Sequence, residues 1–267
     1  MKSLVSLNLL VIIIALIACD KENIEEENEH IIDIFVLGSS FTNQYVYYLE
    51  MMVDSVGDSI FVGEASIGNA GLKVHIEESN TLSKLAGYEW DYVMIQESGY
   101  MACVPEEEAR EVTFPCVKLL VDTIRICQPD ARIGLFMTQA YERGHEDRCP
   151  YDPGVCTYAG MQNRIIENNI KLAKEFELEL APVGYYWQKF SNEHPDIRLF
   201  SHDRSHGSPA GRFLTSSIIY STIFRSEIPL SISTRLLSKT TSELIRDYLN
   251  DYLFDDAAWD SLYHAVN

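Results

Sequence analysis

Hydrophobic and polar positions along the chain switch between the strand period and the helix period. The stretch Ile31 to Thr42, IIDIFVLGSSFT, is a mostly apolar, β-branched run that ends on Gly38-Ser39-Ser40. This is the pattern of a strand covered on both faces of a parallel sheet. Asn43 to Asp54 then places apolar residues at helical spacing, and Ser59 to Glu64 reads as a short second strand. A glycine-bearing turn from Ser66 enters a helix running to about Leu85. Asp91 to Gln96 is the third strand and again ends in small polar residues, Glu97-Ser98-Gly99. Pro105 opens a helix with Glu106, Glu107 and Glu108 in its first turn, where the helix dipole favours negative charge, and the helix runs to the break at Gln128-Pro129-Asp130. Ala131 to Met137 is the fourth strand, Tyr158 to Phe176 an amphipathic helix, Glu179 to Val183 a fifth strand and Tyr185 to Phe190 a helical turn. Pro209 to Arg225 and Glu243 to Ala265 close the chain as helices. Alternation of strand and helix predicts one α/β domain with a central parallel five-stranded sheet, helices on both faces and right-handed crossovers. Between the fourth strand and the next helix, Thr138 to Thr157 is irregular, and a loop that long in a compact domain is usually functional.

Charge narrows the partners. With 40 acidic against 21 basic residues the formal net charge of the 267-residue chain is −19. Such a surface repels nucleic acid and anionic headgroups, so a neutral, hydrated partner is expected and nucleic acid is not. Residues 1–18 hold Lys2 and then LLVIIIALIA, an apolar core too short to span a bilayer and fitting a secretory signal. Leu16-Ile17-Ala18-Cys19 resembles a bacterial lipobox, which implies lipidation of Cys19 and contact with the membrane only through that anchor in the cell envelope. Residues 19–30 follow as an acidic tether; from Asp20 to His30 they carry six acidic side chains and one lysine, and cannot bury apolar area. This acidic stretch resembles the export signal of surface lipoproteins in Bacteroidetes.

Outside the cytoplasm disulfides are permitted. Cys149 with Cys156 is the best pair, closing the turn-rich RCPYDPGVC, and would stabilise by about 2.5 kcal/mol on the chain-entropy model. Cys103 with Cys116 is a second option that leaves Cys127 as a buried thiol.

The candidate chemistry lies at strand ends. Ser40 follows the first strand, where an open α/β sheet exposes its crevice and the next helical turn points N–H groups at developing negative charge. Near the other end, LFSHDRSHGSPAGRFL places Asp203 three residues before His206 on one loop. An ester-cleaving serine needs a base to take its proton and a carboxylate to hold that base in the right tautomer, and this turn supplies both. His202, Asp203 and His206 also read as H-D-x-x-H, but no third metal ligand stands at compatible spacing, so no metal and no organic cofactor is expected.

The serine in G-S-S-F-T and the later D-x-x-H-x-S-x-x-G-x-x-L look like the first and last blocks of the SGNH/GDSL hydrolase superfamily, over a span from about Ile31 to about Phe224. GSSFT and HGSPAGRFL resemble a Bacteroidetes branch of it. The resemblance implies a three-layer α/β/α sandwich over residues 31–267 and hydrolysis of carboxylic esters, often O-acetyl groups on carbohydrates. It implies Ser40 as nucleophile, His206 as general base and then acid, and Asp203 as the carboxylate that orients it. The oxyanion would be held by the Ser40 N–H, by a glycine of Ser66-Ile67-Gly68-Asn69-Ala70-Gly71, and by a third-block amide. Gly68 is the expected glycine, with Gly71 open and a gapless match falling on Asn69. The usual G-x-N-D of the third block is absent, and Gln96 is the expected substitute, although on its residues alone it reads equally as an amide bonding backbone at the strand end. A lipase, lysophospholipase or thioesterase on the same triad, or an inactive glycan-binding lipoprotein, are the alternative functions. His75 reads as packing at the core edge, and Trp90 and Trp187 as buried anchors rather than substrate platforms.

Overall fold

The computed structural model describes residues 31–229 and 236–266, so the leader, Cys19 and the acidic tether lie outside the described residues. The strands are β1 (Ile31–Gly38), β2 (Ser59–Ser66), β3 (Tyr92–Ile95), β4 (Arg132–Phe136) and β5 (Glu179–Ala181). They form one parallel sheet in the order β2-β1-β3-β4-β5. The direction of winding reverses between β1 and β3, and their carboxyl ends are level, with Leu37 opposite Ile95. A crevice opens at such a switch point, which is where the chain leaves β1 for Ser40.

The helices are α1 (Val46–Asp54), α2 (Leu72–Glu77), α3 (Ser79–Ala86), α4 (Gly99–Ala102), α5 (Glu106–Glu111), α6 (Thr113–Cys127), α7 (Tyr158–Phe176), α8 (Val183–Glu193), α9 (Pro209–Phe224), α10 (Lys239–Tyr252) and α11 (Ala257–Ala265). Successive residues of β1 point to opposite faces, and both faces are buried. Ile34 and Val36 join a core with Leu49 and Met52 of α1, Trp187 and Phe190 of α8 and Phe213 of α9. Phe35 and Leu37 join a second core with Val117, Leu120 and Ile124 of α6. The result is the three-layer α/β/α sandwich that the strand pattern implies. No described helix is long and apolar enough to cross a membrane.

Three expected helices are broken, each for a local reason. The helix expected to run to Leu85 splits at Glu78, whose extended backbone (φ −86°, ψ 106°) separates α2 from α3. The helix from Pro105 splits at Val112, because Pro115 has no N–H to give the Glu111 carbonyl and is tolerated only in the first turn of a new helix. The last helix starts earlier, at Lys239, and breaks before Asp256, whose carboxylate caps α11 by accepting from the N–H groups of Ala258 and Trp259. The expected turn at Tyr185 to Phe190 is the longer α8, which takes Val183 from the end of the fifth strand.

Cys149 and Cys156 are disulfide-bonded, with Cα atoms 4.7 Å apart. Cys103 and Cys116 are not paired, and the buried thiol is Cys103 rather than Cys127, which ends α6 facing solvent. Trp90 packs against Phe35, while Trp187 is fully buried against Phe200.

Gly38 marks a close crossing of β1 against the end of β3. A Cβ there would stand 2.5 Å from Gln96 Oε1 and 2.8 Å from Gln96 Cβ, closer than real side chains come. Neither strand can shift without opening the ladder beneath the serine turn. Gly38→Ala is therefore expected to destabilise the fold by about 1–3 kcal/mol in urea or thermal melts, and a melt matching the parent would contradict this account.

Candidate active site

Four side chains, Gln96, Thr42, Ser66 and His75, hold the turn after β1. Ser39 donates its N–H and its hydroxyl to Gln96 Oε1, at 2.7 and 2.9 Å. The Ser39 carbonyl accepts from Thr42 Oγ1 at 2.7 Å and from Ser66 Oγ at 3.0 Å. The carbonyl of Gly38 accepts from His75 Nε2 at 2.9 Å, and His75 is fully buried, which lowers its pKa and keeps the ring neutral. His75 therefore packs beneath the turn, as its sequence position suggests. Ser40 is left with its side chain at the crevice and with a backbone N–H that makes no hydrogen bond to the described residues.

The loop before α9 brings the other two groups to Ser40. It closes by an antiparallel bridge between Phe200 and Gly207 and by Ser201 N–H donating to the His206 carbonyl at 2.8 Å. Arg204 at its tip takes a left-handed conformation (φ 64°), a strained geometry for a side chain of that size. Within the loop, Asp203 Oδ1 accepts from Ser201 Oγ at 2.7 Å, His206 N at 2.9 Å and Ser205 N at 3.0 Å. Its Oδ2 accepts from His206 Nδ1 at 2.7 Å. Desolvation works against the charged carboxylate, yet these hydrogen bonds outweigh it and hold Asp203 well below the usual carboxylate range. With its proton on Nδ1, the ring offers Nε2 as an acceptor, and Ser40 Oγ lies 2.8 Å away.

Gln44 ties the two loops together. Its Nε2 donates to the Ser40 carbonyl at 3.2 Å, and its Oε1 accepts the Gly207 N–H at 2.8 Å. Sequence reading missed it, although it lies one turn beyond Ser40. From the other side Gln139 Nε2 donates to the Ser205 carbonyl at 3.1 Å. His202 does not join the cluster, and among the described residues no group of three or more His, Cys, Asp or Glu could hold a metal ion.

Two expected oxyanion donors are placed elsewhere. Gln96 is fully buried with both amide atoms engaged, Oε1 by Ser39 and Nε2 by the Glu97 carbonyl. It lies against Gly38 beneath the serine turn and does not line the cavity above Ser40. Gly68 is exposed and does not line the cavity above Ser40, whereas Asn69 and Gly71 do. Asn69 takes a left-handed backbone (φ 59°) in this turn, a conformation that asparagine visits more readily than most residues. The donors left near Ser40 are thus its own N–H and groups of Asn69 and Gly71.

No protein-family model matches the chain, and no curated protein matches it significantly in sequence. Solved structures do match in shape. A DUF4886 family protein from Bacteroides uniformis is 18% identical with a TM-score of 0.66, over 84% of this chain and 96% of that one. A protein from Slackia heliotrinireducens assigned as an SGNH hydrolase is 22% identical with a TM-score of 0.58, over 73% of this chain and 100% of that one. An acetyl xylan esterase, AlAXEase, is 16% identical with a TM-score of 0.53, over 72% of this chain and 100% of that one. The chain has the fold of the SGNH hydrolases. At these identities the likeness speaks for the fold.

On the SGNH fold the end of β3 carries a further group that sequence reading passed over. Glu97 is buried, and its Oε1 accepts the N–H of Ser98 at 2.7 Å and of Leu72 at 3.1 Å. It joins the turn after β3 to the turn that carries Asn69 and Gly71. Burial raises its carboxyl to about 7 from an ordinary 4.5, with the two N–H donors only partly opposing the shift. Between those values the folded chain keeps a proton that the unfolded chain has released, so stability falls as pH rises from about 4.5 to about 7. Glu97→Gln keeps an acceptor for both N–H groups and removes the titration. It is expected to flatten that slope and to raise stability at pH 8 by on the order of 1–3 kcal/mol in denaturant titrations. An unchanged slope across the window would refute the assignment.

Proposed function

We propose that the protein hydrolyses carboxylic esters at Ser40, with O-acetyl groups on carbohydrates as its substrates. The observation that carries this reading is the unbroken run from Asp203 Oδ2 through both nitrogens of His206 to Ser40 Oγ, with links of 2.7 and 2.8 Å. In the first step Ser40 Oγ attacks the ester carbonyl while His206 Nε2 takes its proton, and Asp203 stabilises the imidazolium. The oxyanion is met by the Ser40 N–H and by the groups of Asn69 and Gly71 that line the same cavity. Collapse breaks the C–O bond, and His206 gives the proton to the departing alkoxide. Water then attacks the acyl-serine, again through His206, and the acid leaves.

The preference for a carbohydrate ester is supported by the acidic chain, whose net charge of −19 disfavours anionic lipids, and by an acetyl xylan esterase among the proteins that share the fold. The leader and Cys19 support an address in the cell envelope on a lipid anchor, a reading that rests on sequence.

Hydrolysis of a short-chain aryl acetate by the purified full chain tests the reaction directly. Ser40→Ala and His206→Ala are expected to reduce kcat by at least ~10³-fold, and Asp203→Asn by ~10²–10⁴-fold, with melting curves unchanged. A wild-type chain that does not turn over the ester, or variants that match it, would overturn the proposal.

A further inference from the structure

The loop between β4 and α7 carries a second histidine to the cavity above Ser40. His145 is 5% exposed and lines that cavity, whose volume is about 410 Å3, together with Ser40 and His206. That size falls within the roughly 300–1,000 Å3 of small-molecule sites. Its ring is wedged between Tyr100 and Tyr141, with centroids 5.0 and 5.5 Å away. The Arg148 N–H is shared between the His145 carbonyl at 3.1 Å and Nδ1 at 3.2 Å, which makes Nδ1 an acceptor and puts the proton of the neutral ring on Nε2, an atom with no hydrogen-bond partner among the described residues. Burial lowers the pKa and keeps the ring neutral, against the pull of Asp147. A nearly buried ring that leaves its Nε2–H without a protein partner, in the wall of a cavity, leaves that donor to a ligand acceptor.

The backbone around this ring is built to hold it still. His145 N–H donates to the Val155 carbonyl at 2.8 Å, and its carbonyl accepts from Cys149 N at 2.9 Å. Gly144 before it has φ 78°, and a Cβ there would stand 2.5 Å from the Val155 carbonyl oxygen. The disulfide from Cys149 to Cys156 closes the same loop. Arg148, which supplies the N–H to Nδ1, is itself anchored by its guanidinium on Glu108.

Asp147 lines the cavity two residues on and makes no hydrogen bond or ion pair with the described residues, and neither Lys nor Arg lines it. The exposed Tyr100 ring adds a flat apolar wall. A fixed neutral donor, a free carboxylate acceptor and an aromatic face together suit a neutral polyhydroxyl ring. An anionic group would meet Asp147, and a cation has no acceptor to offer the Nε2 hydrogen.

We infer that His145 is a substrate-binding residue whose Nε2–H hydrogen-bonds a sugar oxygen on the alcohol side of the ester, with Asp147 accepting from a neighbouring hydroxyl. The inference deepens the esterase reading of the same cavity and rests on it for the word substrate. Two arms keep them separable, using His145→Phe, which keeps the ring and removes the donor, and His145→Gln, whose amide returns an N–H near the Nε2 position. In the first arm, kcat/KM is measured on an aryl acetate and on a singly acetylated methyl glycoside. The ratio of glycoside to aryl ester is expected to fall at least ~10-fold in His145→Phe and to recover in part in His145→Gln. In the second arm, calorimetry measures binding of that glycoside to Ser40→Ala protein, where no turnover is required, and adding His145→Phe is expected to weaken it at least ~10-fold. Binding lost with the donor from a chain inert on both esters would sustain the sugar site and sink the esterase. Turnover of the aryl acetate with an unchanged ratio, or no glycoside binding by Ser40→Ala protein, would sink the sugar site and leave the esterase standing.

Discussion

The close crossing of β1 and β3 at Gly38 and Gln96 is the constraint from which the site follows. Because residue 38 has no side chain, the Gln96 amide can lie flat beneath the turn and take both the N–H and the hydroxyl of Ser39. A buried amide acceptor with two donors is satisfied only if Ser39 stays in place, and a displaced Ser39 would leave polar atoms unpaired inside the protein. Ser40 is thereby fixed without any contact of its own to the sheet. His75, buried below and donating to the Gly38 carbonyl, closes the same knot from the side of the second core.

Fixing the serine is half of the geometry, since the base arrives on a loop 166 residues later in the chain. The loop is rigid internally, with Asp203 Oδ1 gathering two backbone N–H groups and a hydroxyl while Oδ2 turns the imidazole. Such a loop could still tilt as a unit. Gln44 and Gln139 remove that freedom from opposite sides, each with a neutral amide that brings no charge near the ring. The serine and the histidine are thus referenced to one another through short hydrogen bonds, and the donor and acceptor are aligned before any substrate enters.

The sequence was most legible where one physical rule dominated. Five apolar runs with helical segments between them left little choice but a parallel sheet covered on both faces, and the strand ends then located Ser40. Asp203 and His206 stand close enough in the chain for one turn to hold both. Helix breaks were harder, because apolar periodicity continues across Glu78 and Val112; the Pro115 and Asp256 signals were present but local. The sequence left Gln96 and the choice among Gly68, Asn69 and Gly71 open for a different reason. Whether an amide faces a crevice or the strand beneath it depends on the clearance between two strands far apart in sequence, and a pattern of residue types does not carry that distance.

His145 illustrates the same limit and a way past it. Nothing about a lone histidine among charged residues distinguishes it from a solvated one, and only the length of its loop and the two cysteines closing it set the segment apart. Those two features carry a physical statement all the same. The disulfide closes only residues 149–156, just after His145, and restrains the segment whose Val155 carbonyl accepts the His145 N–H. In the proposed reaction, rigidity of the wall would also bear on rate: a leaving alcohol held by a donor that cannot follow it would keep its oxygen where His206 delivers the proton. In that proposal the two histidines divide the work, His206 moving the proton and His145 holding the group that receives it.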